Sequence, residues 1–384
     1  MKVLIANESH SGEPRVAATP ETVKKMIGAG LEVAVEAGAG HLSSFEDETY
    51  RDAGASVEPA TAASRQTAGA LLKVNRLGEH PELGEEVALL AEGALVIGFL
   101  EPWDNIELAR RLVERRITAL AMELVPRISR AQSMDALSSQ ASVGGYKAVL
   151  LAASRLPRYF PLLMTAAGTI RPARVVIMGA GVAGLQAIAT AKRLGAVVEV
   201  SDIRPAVAEQ VRSLGGRFID LPEIEQAEDA GGYAREMGEE FLRRQREILT
   251  EHVAAANVVI TTAAVPGKPA PRLLTADMVR RMHPGSVVVD LAAERGGNCE
   301  LTRPGEEVVE NGVLILGPIN LPGSVPHDAS TLYSRNVLNL LEEMLEEGAA
   351  KVDLDNDVIG PTLVTHDGRV MFEPLARQIE GVVA

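Results

Sequence analysis

The chain has 384 residues, a length that favours two domains, and its 46% apolar and 23% charged residues are typical of a globular protein with buried cores. Its 38 Lys and Arg residues against 52 Asp and Glu residues give a formal net charge of −14, which argues against DNA, RNA or anionic lipid as the main partner. Cys299 is the one cysteine, which excludes a disulfide framework or a cysteine-based zinc site within one chain and fits a reducing cytosol.

The first third of the chain alternates predicted strands with predicted helices. The strand candidates begin at Lys2, Leu31, Ala55, Gly69, Ala94 and Ile117. Helical spacing of apolar residues or helix-start residues mark the segments 20–28, 46–53, 85–93 and 105–116. Strands that alternate with helices predict a parallel, doubly wound sheet.

One long helix, rich in Ala, Ser and Gly, is predicted over residues 134–156. A second alternating region follows over 174–317, and the tail predicts a helix over 328–347 and then a short irregular end. The tail is expected to pack back on the first domain. The longest uncharged stretch, residues 175–191, is short for a membrane span and predicts a buried strand, turn and helix, so no direct membrane insertion is expected.

The strongest local motif joins the first strand of the second region to its first helix. Gly179, Gly181 and Gly184 form the pattern G-x-G-x-x-G. The first glycine permits a tight turn, the second lets the backbone approach a pyrophosphate, and the third lets helix and strand pack closely. The helix start then offers N–H groups and a favourable dipole to the phosphates.

An acidic residue, Asp202, ends the next predicted strand. Its carboxylate suits a ribose 2′-hydroxyl and favours NAD over NADP, whereas Arg204 is able to meet a 2′-phosphate instead. The fold class predicted is therefore α/β, with two doubly wound Rossmann-like parallel-sheet domains joined by a long helix. The predicted boundaries are residues 1–135 plus 320–384 for the first domain, 136–165 for the connecting helix and linker, and 166–319 for the NAD(H)-binding domain.

A second polar cluster, PRISRAQSMDALSSQ, leads into the long helix. One interpretation is a solvated helix entry, capped by Ser129 or Ser133. The other is a loop that orients a ligand, with Arg127 paired to Asp135. The polar residues concerned are Arg127, Arg130, Gln132, Asp135, Ser138 and Ser139.

A third segment, residues 227–240, contains Gly232, Tyr233 and Met237. Its composition is consistent either with an exposed loop or with a lid that closes on a bound nucleotide. The seven histidines lack the spacing of metal ligands, and the acidic run 353–357 lacks the glycine and glutamate of a calcium loop, so no metal is expected.

Several segments together resemble the NAD(H)-binding α1 subunit, or domain I, of proton-translocating nicotinamide nucleotide transhydrogenases, which are related to alanine dehydrogenases. The resemblance spans nearly the whole chain, and RISRAQSMD is its most specific segment. The matching segments are the opening with Glu13, Arg15 and Val16, then AMELVPRISRAQSMDALSSQ, TAAGTIRPARVVIMGAGVAGLQAIATAKRLGA, GGYAREMGEEF, TTAAVPGKPAP and VVVDLAAERGGNCE.

The resemblance implies which residues meet the cofactor. Gln132 is implied beside the nicotinamide ribose, with Arg127 and Ser138 at the carboxamide and Asp135 paired to Arg127. Tyr233 and Met237 are implied in a loop that closes on the nucleotide. The implied cofactor-binding positions are Gly179, Gly181, Val182, Gly184, Asp202, Ile203, Arg204, Gly232, Tyr233, Met237, Ala264 and Arg130.

The implied reaction is direct hydride transfer from NADH on this chain to NADP⁺ on a partner subunit. A membrane-spanning subunit, absent from this chain, is implied to translocate the protons. The resemblance further implies a homodimer at the cytoplasmic face of the inner membrane, held there through its partner subunits, with no nucleic acid bound. Because nicotinamides exchange the hydride themselves, no general acid or base is expected in this chain.

Two alternatives stay open from the sequence. In an alanine dehydrogenase, Arg15 and Lys73 would meet the substrate carboxylate and carbonyl. That family has a histidine in the segment that matches ALVIGFLEPWD, where this chain has none, and Glu294 stands where it has an aspartate. The other alternative is an NAD-binding module without catalysis.

Overall fold

The computed structural model describes residues 1–221, 239–265 and 267–383 and divides into two compact units. The first unit comprises Met1–Gln140 and Gly323–Ala384, and the second comprises Ala141–Pro322. No helix in the described part of the chain is long and apolar enough to cross a membrane.

Within the described residues, the strands fall into one large sheet in each unit and three small two-stranded pairs. In chain order they are β1 (Lys2–Ile5), β2 (Glu32–Glu36), β3 (Ser56–Glu58), β4 (Ala70–Leu72), β5 (Glu79–His80), β6 (Gly84–Glu85), β7 (Leu95–Gly98), β8 (Thr118–Ala121), β9 (Leu163–Thr165), β10 (Gly168–Ile170), β11 (Arg174–Met178), β12 (Val197–Ser201), β13 (Arg217–Phe218), β14 (Val258–Thr261), β15 (Val287–Asp290), β16 (Glu307–Glu310), β17 (Val313–Leu316), β18 (Leu345–Glu346), β19 (Ala349–Ala350), β20 (Leu363–His366) and β21 (Arg369–Val370).

The α-helices connect these strands and cover both faces of each large sheet. They are α1 (Pro20–Gly28), α2 (Asp47–Asp52), α3 (Ala62–Gln66), α4 (Ile106–Glu114), α5 (Ala136–Arg155), α6 (Val182–Arg193), α7 (Ala208–Ser213), α8 (Glu239–Ala254), α9 (Ala276–Arg280), α10 (Pro326–Glu342), α11 (Ile359–Thr362) and α12 (Glu373–Val383). The predicted long helix is thus confirmed as α5.

The sheet of the first unit has the strand order β21-β20-β8-β7-β4-β1-β2-β3. Its strands are parallel except for β20 and β21, each of which runs antiparallel to its neighbour. Along β1, Val3 and Ile5 face one apolar core and Leu4 faces the other. A strand with both faces buried has a continuous apolar run, which is why KVLI was recognisable in the sequence.

The second unit has the order β13-β12-β11-β14-β15-β17-β16, parallel except for β16 against β17. Val175 and Ile177 of β11 face one core, and Val176 and Met178 face the other. The strand order reverses beside β11, whose neighbours are β12 and β14. Ligands of open parallel sheets bind at the carboxyl end of such a strand. The predicted fold class, two doubly wound α/β sheets, is confirmed.

Two predicted elements were wrong. Residues 85–93 form only a single 3₁₀ turn, Val87–Leu89, because Leu90 adopts an extended backbone with ψ 152° directly after it. The tail after α10 is not irregular, since β20 pairs with β8 and joins the first sheet. It then returns through β21 into α12.

Candidate functional site

The glycine motif of the second unit forms a tight turn between β11 and α6. Gly179 has φ +106°, and a Cβ there would lie 2.6 Å from Thr262 Oγ1. A Cβ on Gly184 would lie 1.9 Å from the Gly179 carbonyl oxygen, so the helix touches the turn through backbone atoms. Around Gly181, by contrast, a Cβ would meet no heavy atom of the described residues within 4 Å. Packing therefore requires two of the three glycines, and open space lies beside the other.

The open space lies at the first turn of α6. Gly181 is the N-cap residue, and as a glycine it has no side chain to cap the helix. Val182, the first helical residue, is 37% exposed. N–H groups at a helix start that lack internal partners, together with the helix dipole, favour an anion. The arrangement therefore suits the pyrophosphate of a dinucleotide.

The carboxylate of Asp202 lies directly after β12 and is buried. Its Oδ2 accepts the N–H of Ala180 at 2.7 Å and Nη2 of Arg204 at 2.9 Å. Its Oδ1 accepts the N–H and Nε of Arg204, both at 2.9 Å. Asp202 thus closes the glycine turn against the second strand, while the neighbouring Ile203 is half-buried.

The same contacts recur in the first unit, where no glycine motif follows the first strand. Glu36, the last residue of β2, accepts the N–H of Asn7 on Oε2 at 2.8 Å. Arg65 donates Nη2 to that oxygen at 3.0 Å and Nε to Oε1 at 2.8 Å. In both units the N–H that the acid accepts comes two residues after the first strand ends, and both arginine–carboxylate pairs are buried or nearly so.

Two buried polar residues near β14 and β15 were missed from the sequence. Asn298 donates Nδ2 to the carbonyls of Ala263 and Pro271, both at 2.8 Å, and accepts the N–H of Ala263 at 3.0 Å. It therefore fixes the chain around the predicted position Ala264, which is exposed. Asp290, at the end of β15, accepts from Thr261, Ala292, Cys299 and Thr302. The sequence signal that could have indicated Asp290 is an acidic residue at the end of a predicted strand.

The predicted loop positions Gly232, Tyr233 and Met237 lie outside the described residues.

In the first unit, Asp135 caps the long helix α5. Its Oδ1 accepts the N–H of Ser138 at 2.8 Å, and its Oδ2 accepts the Ser138 hydroxyl at 2.6 Å. The expectation that Ser129 or Ser133 caps this helix was therefore wrong, because a carboxylate three residues before Ser138 already takes the N-cap position. The predicted ion pair of Arg127 with Asp135 stays a prediction.

The other predicted residues of this segment lie at the surface. Arg127 and Gln132 are exposed, in and next to the 3₁₀ stretch Ser129–Met134. Arg130 is exposed too, but its guanidinium pairs with Asp357 and with Glu343, which follows α10. These partners belong to the first unit and hold Arg130 in place without any ligand.

A buried carboxyl group lies at the start of this segment. Oε1 of Glu123 accepts the N–H of Leu100, at 2.8 Å, and that of Glu101. Its Oε2 is buried, with no hydrogen-bond partner among the described residues. Burial raises the pKa of Glu123 to about 7, although the two N–H groups act in the opposite direction.

Arg15 and Lys73, the residues of the alanine dehydrogenase alternative, are buried and engaged by side chains of the chain itself. Arg15 donates Nε and Nη2 to Glu13 at 2.7 and 2.6 Å and Nη1 to Gln140 at 2.9 Å. Lys73 donates to Glu86 at 2.8 Å. Burial lowers the pKa of Arg15, but Glu13 outweighs it and holds that pKa above its usual value.

Glu294, the residue that stands at the aspartate position of that family, is exposed. No group of His, Cys, Asp and Glu residues able to hold a metal ion occurs within residues 1–221, 239–265 and 267–383.

Comparison with protein families matches both units. Residues 4–144 match the family model of the alanine dehydrogenase/PNT N-terminal domain, and residues 148–373 match that of the alanine dehydrogenase/PNT C-terminal domain. The chain is 48% identical to the protein of Rhodospirillum rubrum that is the first portion of its NAD(P) transhydrogenase subunit alpha, over 98% of this chain and 100% of that protein.

The chain is also similar to a solved transhydrogenase structure and, at lower identity, to an alanine dehydrogenase. The crystal structure of transhydrogenase from Sinorhizobium meliloti superposes with a TM-score of 0.86 at 45% identity, covering 96% of this chain and 100% of the other. The alanine dehydrogenase of Bacillus subtilis is 30% identical over 99% of this chain and 95% of that protein. The chain therefore belongs to the alanine dehydrogenase/PNT family and, within it, to the NAD(P) transhydrogenase alpha subunits.

Proposed function

We propose that this chain binds NAD(H) in its second unit and exchanges a hydride directly with NADP(H) bound on a partner subunit. The observation that carries the proposal is the glycine turn of a transhydrogenase alpha subunit with open space at Gly181, where a pyrophosphate can approach the start of α6. A membrane-spanning subunit couples the reaction to proton translocation. The chain acts as a homodimer at the cytoplasmic face of the inner membrane, held by its partner subunits.

In this proposal the phosphates lie on the turn from Gly179 to Gly184, next to Val182. The adenosine ribose lies at the segment 202–204. Because the Asp202 carboxylate already accepts four hydrogen bonds, a ribose hydroxyl takes the place of one donor from Arg204. The further proposed contacts of the cofactor are Gly232, Tyr233, Met237, Ala264 and Arg130.

The nicotinamide end is proposed to meet Arg127, Gln132, Asp135 and Ser138 of the first unit. The Ser138 hydroxyl donates its proton to Asp135, so its oxygen lone pairs remain to accept the carboxamide N–H₂. Gln132, exposed and uncharged, serves as a positioning group near the nicotinamide ribose and towards the second nucleotide. The bound nicotinamide supplies the hydride chemistry, and these residues orient it.

The decisive experiment mixes the chain with a transhydrogenase NADP(H)-binding subunit. Stopped-flow absorbance follows the transfer of hydride from NADH to bound NADP⁺. We expect transfer in the mixture and none by the chain alone. Absence of transfer, together with alanine-dependent reduction of NAD⁺ by the chain alone, would overturn the proposal in favour of an amino-acid oxidoreductase. NAD(H) binding without either reaction would mark a non-catalytic module.

A further inference from the structure

One face of α10 contacts three separate loops of the first unit through buried polar side chains. Ser330 accepts the N–H of Val16 at 3.0 Å, and Tyr333 donates its hydroxyl to the carbonyl of Lys73 at 2.8 Å. Asn336, one helical turn further on, continues the row. These hydrogen bonds hold the side chains and the loops together, since each buried polar group left without a partner would cost stability.

The side chain of Asn336 bridges two points of the segment that is predicted to meet the nicotinamide. Its Nδ2 donates to the carbonyl of Ser133 at 2.8 Å, and its Oδ1 accepts the hydroxyl of Ser139 at 2.7 Å. Ser133 follows Gln132 in the chain, and Ser139 follows Ser138. The amide of Asn336 is planar and only 7% exposed. It therefore fixes the distance between Ser133 and Ser139, the neighbours of the two proposed nicotinamide contacts Gln132 and Ser138.

A second amide on α10 offers a natural comparison. Asn339 also donates to the carbonyl of Ser133, at 2.9 Å, but this bond is exposed to solvent and makes no link to α5. Water is able to replace it at little cost. The two asparagines thus share one acceptor and differ in burial and in the second bond.

We propose that Asn336 is a positioning residue for hydride transfer, acting through Ser133 and Ser139 on Gln132 and Ser138. The inference rests on the function proposed above for that segment. Asn336 is no catalytic residue, because its bonds end on the protein and not on the cofactor. Its effect follows from geometry, since a displacement of about 1 Å at a reacting pair costs up to about 100-fold in rate.

The test compares four variants in the mixture with the NADP(H)-binding subunit: Asn336→Ala, Asn336→Asp, Ser139→Ala and the matched control Asn339→Ala. We expect Asn336→Ala to lower the transfer rate by about 10- to 100-fold, with the Kd for NADH changed less than about threefold. Asn336→Asp keeps the acceptor for Ser139 and loses the donor to Ser133, so it should be slow as well. Ser139→Ala removes the link to α5 and should lie between Asn336→Ala and the wild type, whereas Asn339→Ala should match the wild type.

A second measurement does not depend on the proposed reaction. Hydrogen exchange of the backbone amides of residues 128–138 should speed up in Asn336→Ala and stay unchanged in Asn339→Ala. Equal exchange and equal transfer rates in these two variants would overturn the inference. If the wild-type mixture transfers no hydride, the proposed function fails, and the exchange measurement still decides whether Asn336 holds the segment.

Discussion

Arg204 donates to both carboxylate oxygens of Asp202, at 2.9 Å to each. Two backbone N–H groups complete the set of four donors that a carboxylate accepts. The acid proposed to favour NAD therefore also holds the arginine that would favour NADP, and we expect this one ion pair to bear on both preferences.

Replacing the acid tests this directly. In Asp202→Ala the arginine loses this partner and is able to meet a 2′-phosphate, while the ribose hydroxyl of NAD loses the carboxylate that would accept its hydrogen bond. We expect the ratio of the Kd values for NADPH and NADH to fall by about tenfold or more, the usual worth of a hydrogen bond to a charged group. Nucleotide fluorescence titration measures both constants. In the double variant Asp202→Ala with Arg204→Ala, the gain for NADPH should vanish; an unchanged ratio in the single variant would contradict the assignment.

Substitutions at two glycines of the turn are expected to distinguish effects on NADH binding from effects on protein stability. Gly181→Ala places a methyl group where none of the residues packed around the turn in the described part of the chain has an atom within 4 Å, so the free protein should melt at the wild-type temperature. Its NADH affinity should nevertheless drop by about tenfold, since the methyl group stands where the phosphates approach. Gly184→Ala should lower the melting temperature, because its Cβ would lie 1.9 Å from a carbonyl oxygen. Tight NADH binding by Gly181→Ala would refute the phosphate site.

Two adjacent glycines of α5 form a matched pair. A Cβ on Gly145 would lie 2.1 Å from the carbonyl oxygen of Ala183, whereas one on Gly144 would lie 3.9 Å from a methyl group of Leu291. Gly145→Ala should destabilise the protein by about 1–3 kcal/mol and weaken NADH binding through α6. Gly144→Ala should stabilise it by up to about 1 kcal/mol, as alanine favours a helix. Urea unfolding measures both; equal effects would show that α5 and α6 adjust freely.

Glu123 makes the stability depend on pH. Its pKa, about 7 against an ordinary 4.5, means that the fold favours the protonated carboxyl. This group therefore stabilises the fold fully below about pH 4.5, and that contribution is lost as the pH rises to about 7. Glu101, on the neighbouring loop, adds to the raised pKa, and the pKa of the facing Tyr333 is raised partly by Glu123.

The variant Glu123→Gln keeps an oxygen acceptor and has no titrating proton. We expect its free energy of unfolding, relative to the wild type, to rise between pH 4.5 and 7 by about 3 kcal/mol and then to stay level. Urea titrations at several pH values measure the difference. In a Glu101→Gln background the rise should be smaller, because the Glu101 carboxylate adds to the raised pKa of Glu123. A difference that does not vary with pH would contradict the assigned pKa.

Gln132 provides the last test of the proposed chemistry. Because it is exposed and its neighbour Ser133 is anchored by α10, Gln132→Ala should leave the fold unchanged. Hydride transfer should slow by about 10- to 100-fold, with little change in NADH affinity. Parallel losses in rate and in affinity would count against a positioning role.

Local sequence patterns predicted those parts of the structure that are formed by residues close to one another in the chain. The turn from Gly179 to Gly184 and the acid Asp202 were predictable because strand, turn and helix follow one another within about 25 residues. The β20–β21 hairpin was missed although a local signal exists, since Asp367 and Gly368 both adopt positive φ and Asp-Gly is a strong hairpin signal. The cap of α5 by Asp135 was likewise within reach of spacing alone.

The supporting contacts depend on residues far apart in the chain, so no local pattern indicates them. Asn336 and Ser133 are separated by 203 positions. Gly145 contacts Ala183, and an isolated helical glycine does not say which backbone it approaches. Asn298 holds the chain at Ala263 from 35 positions away. These contacts form only when the folded sheets bring the loops together, so they are recognised from the structure and not from the sequence.

The repeat of the Asp202 contacts at Glu36 has a practical meaning for anyone who assigns functions to genome sequences. The first unit keeps the acid at the end of its second strand, the arginine fork and the bond to the backbone N–H, with no glycine turn beside them. An acidic residue at that position therefore holds two strand ends together with or without a glycine turn beside it. A search for this acid alone would match both units of the chain, whereas the spacing of the glycines distinguishes the second unit from the first.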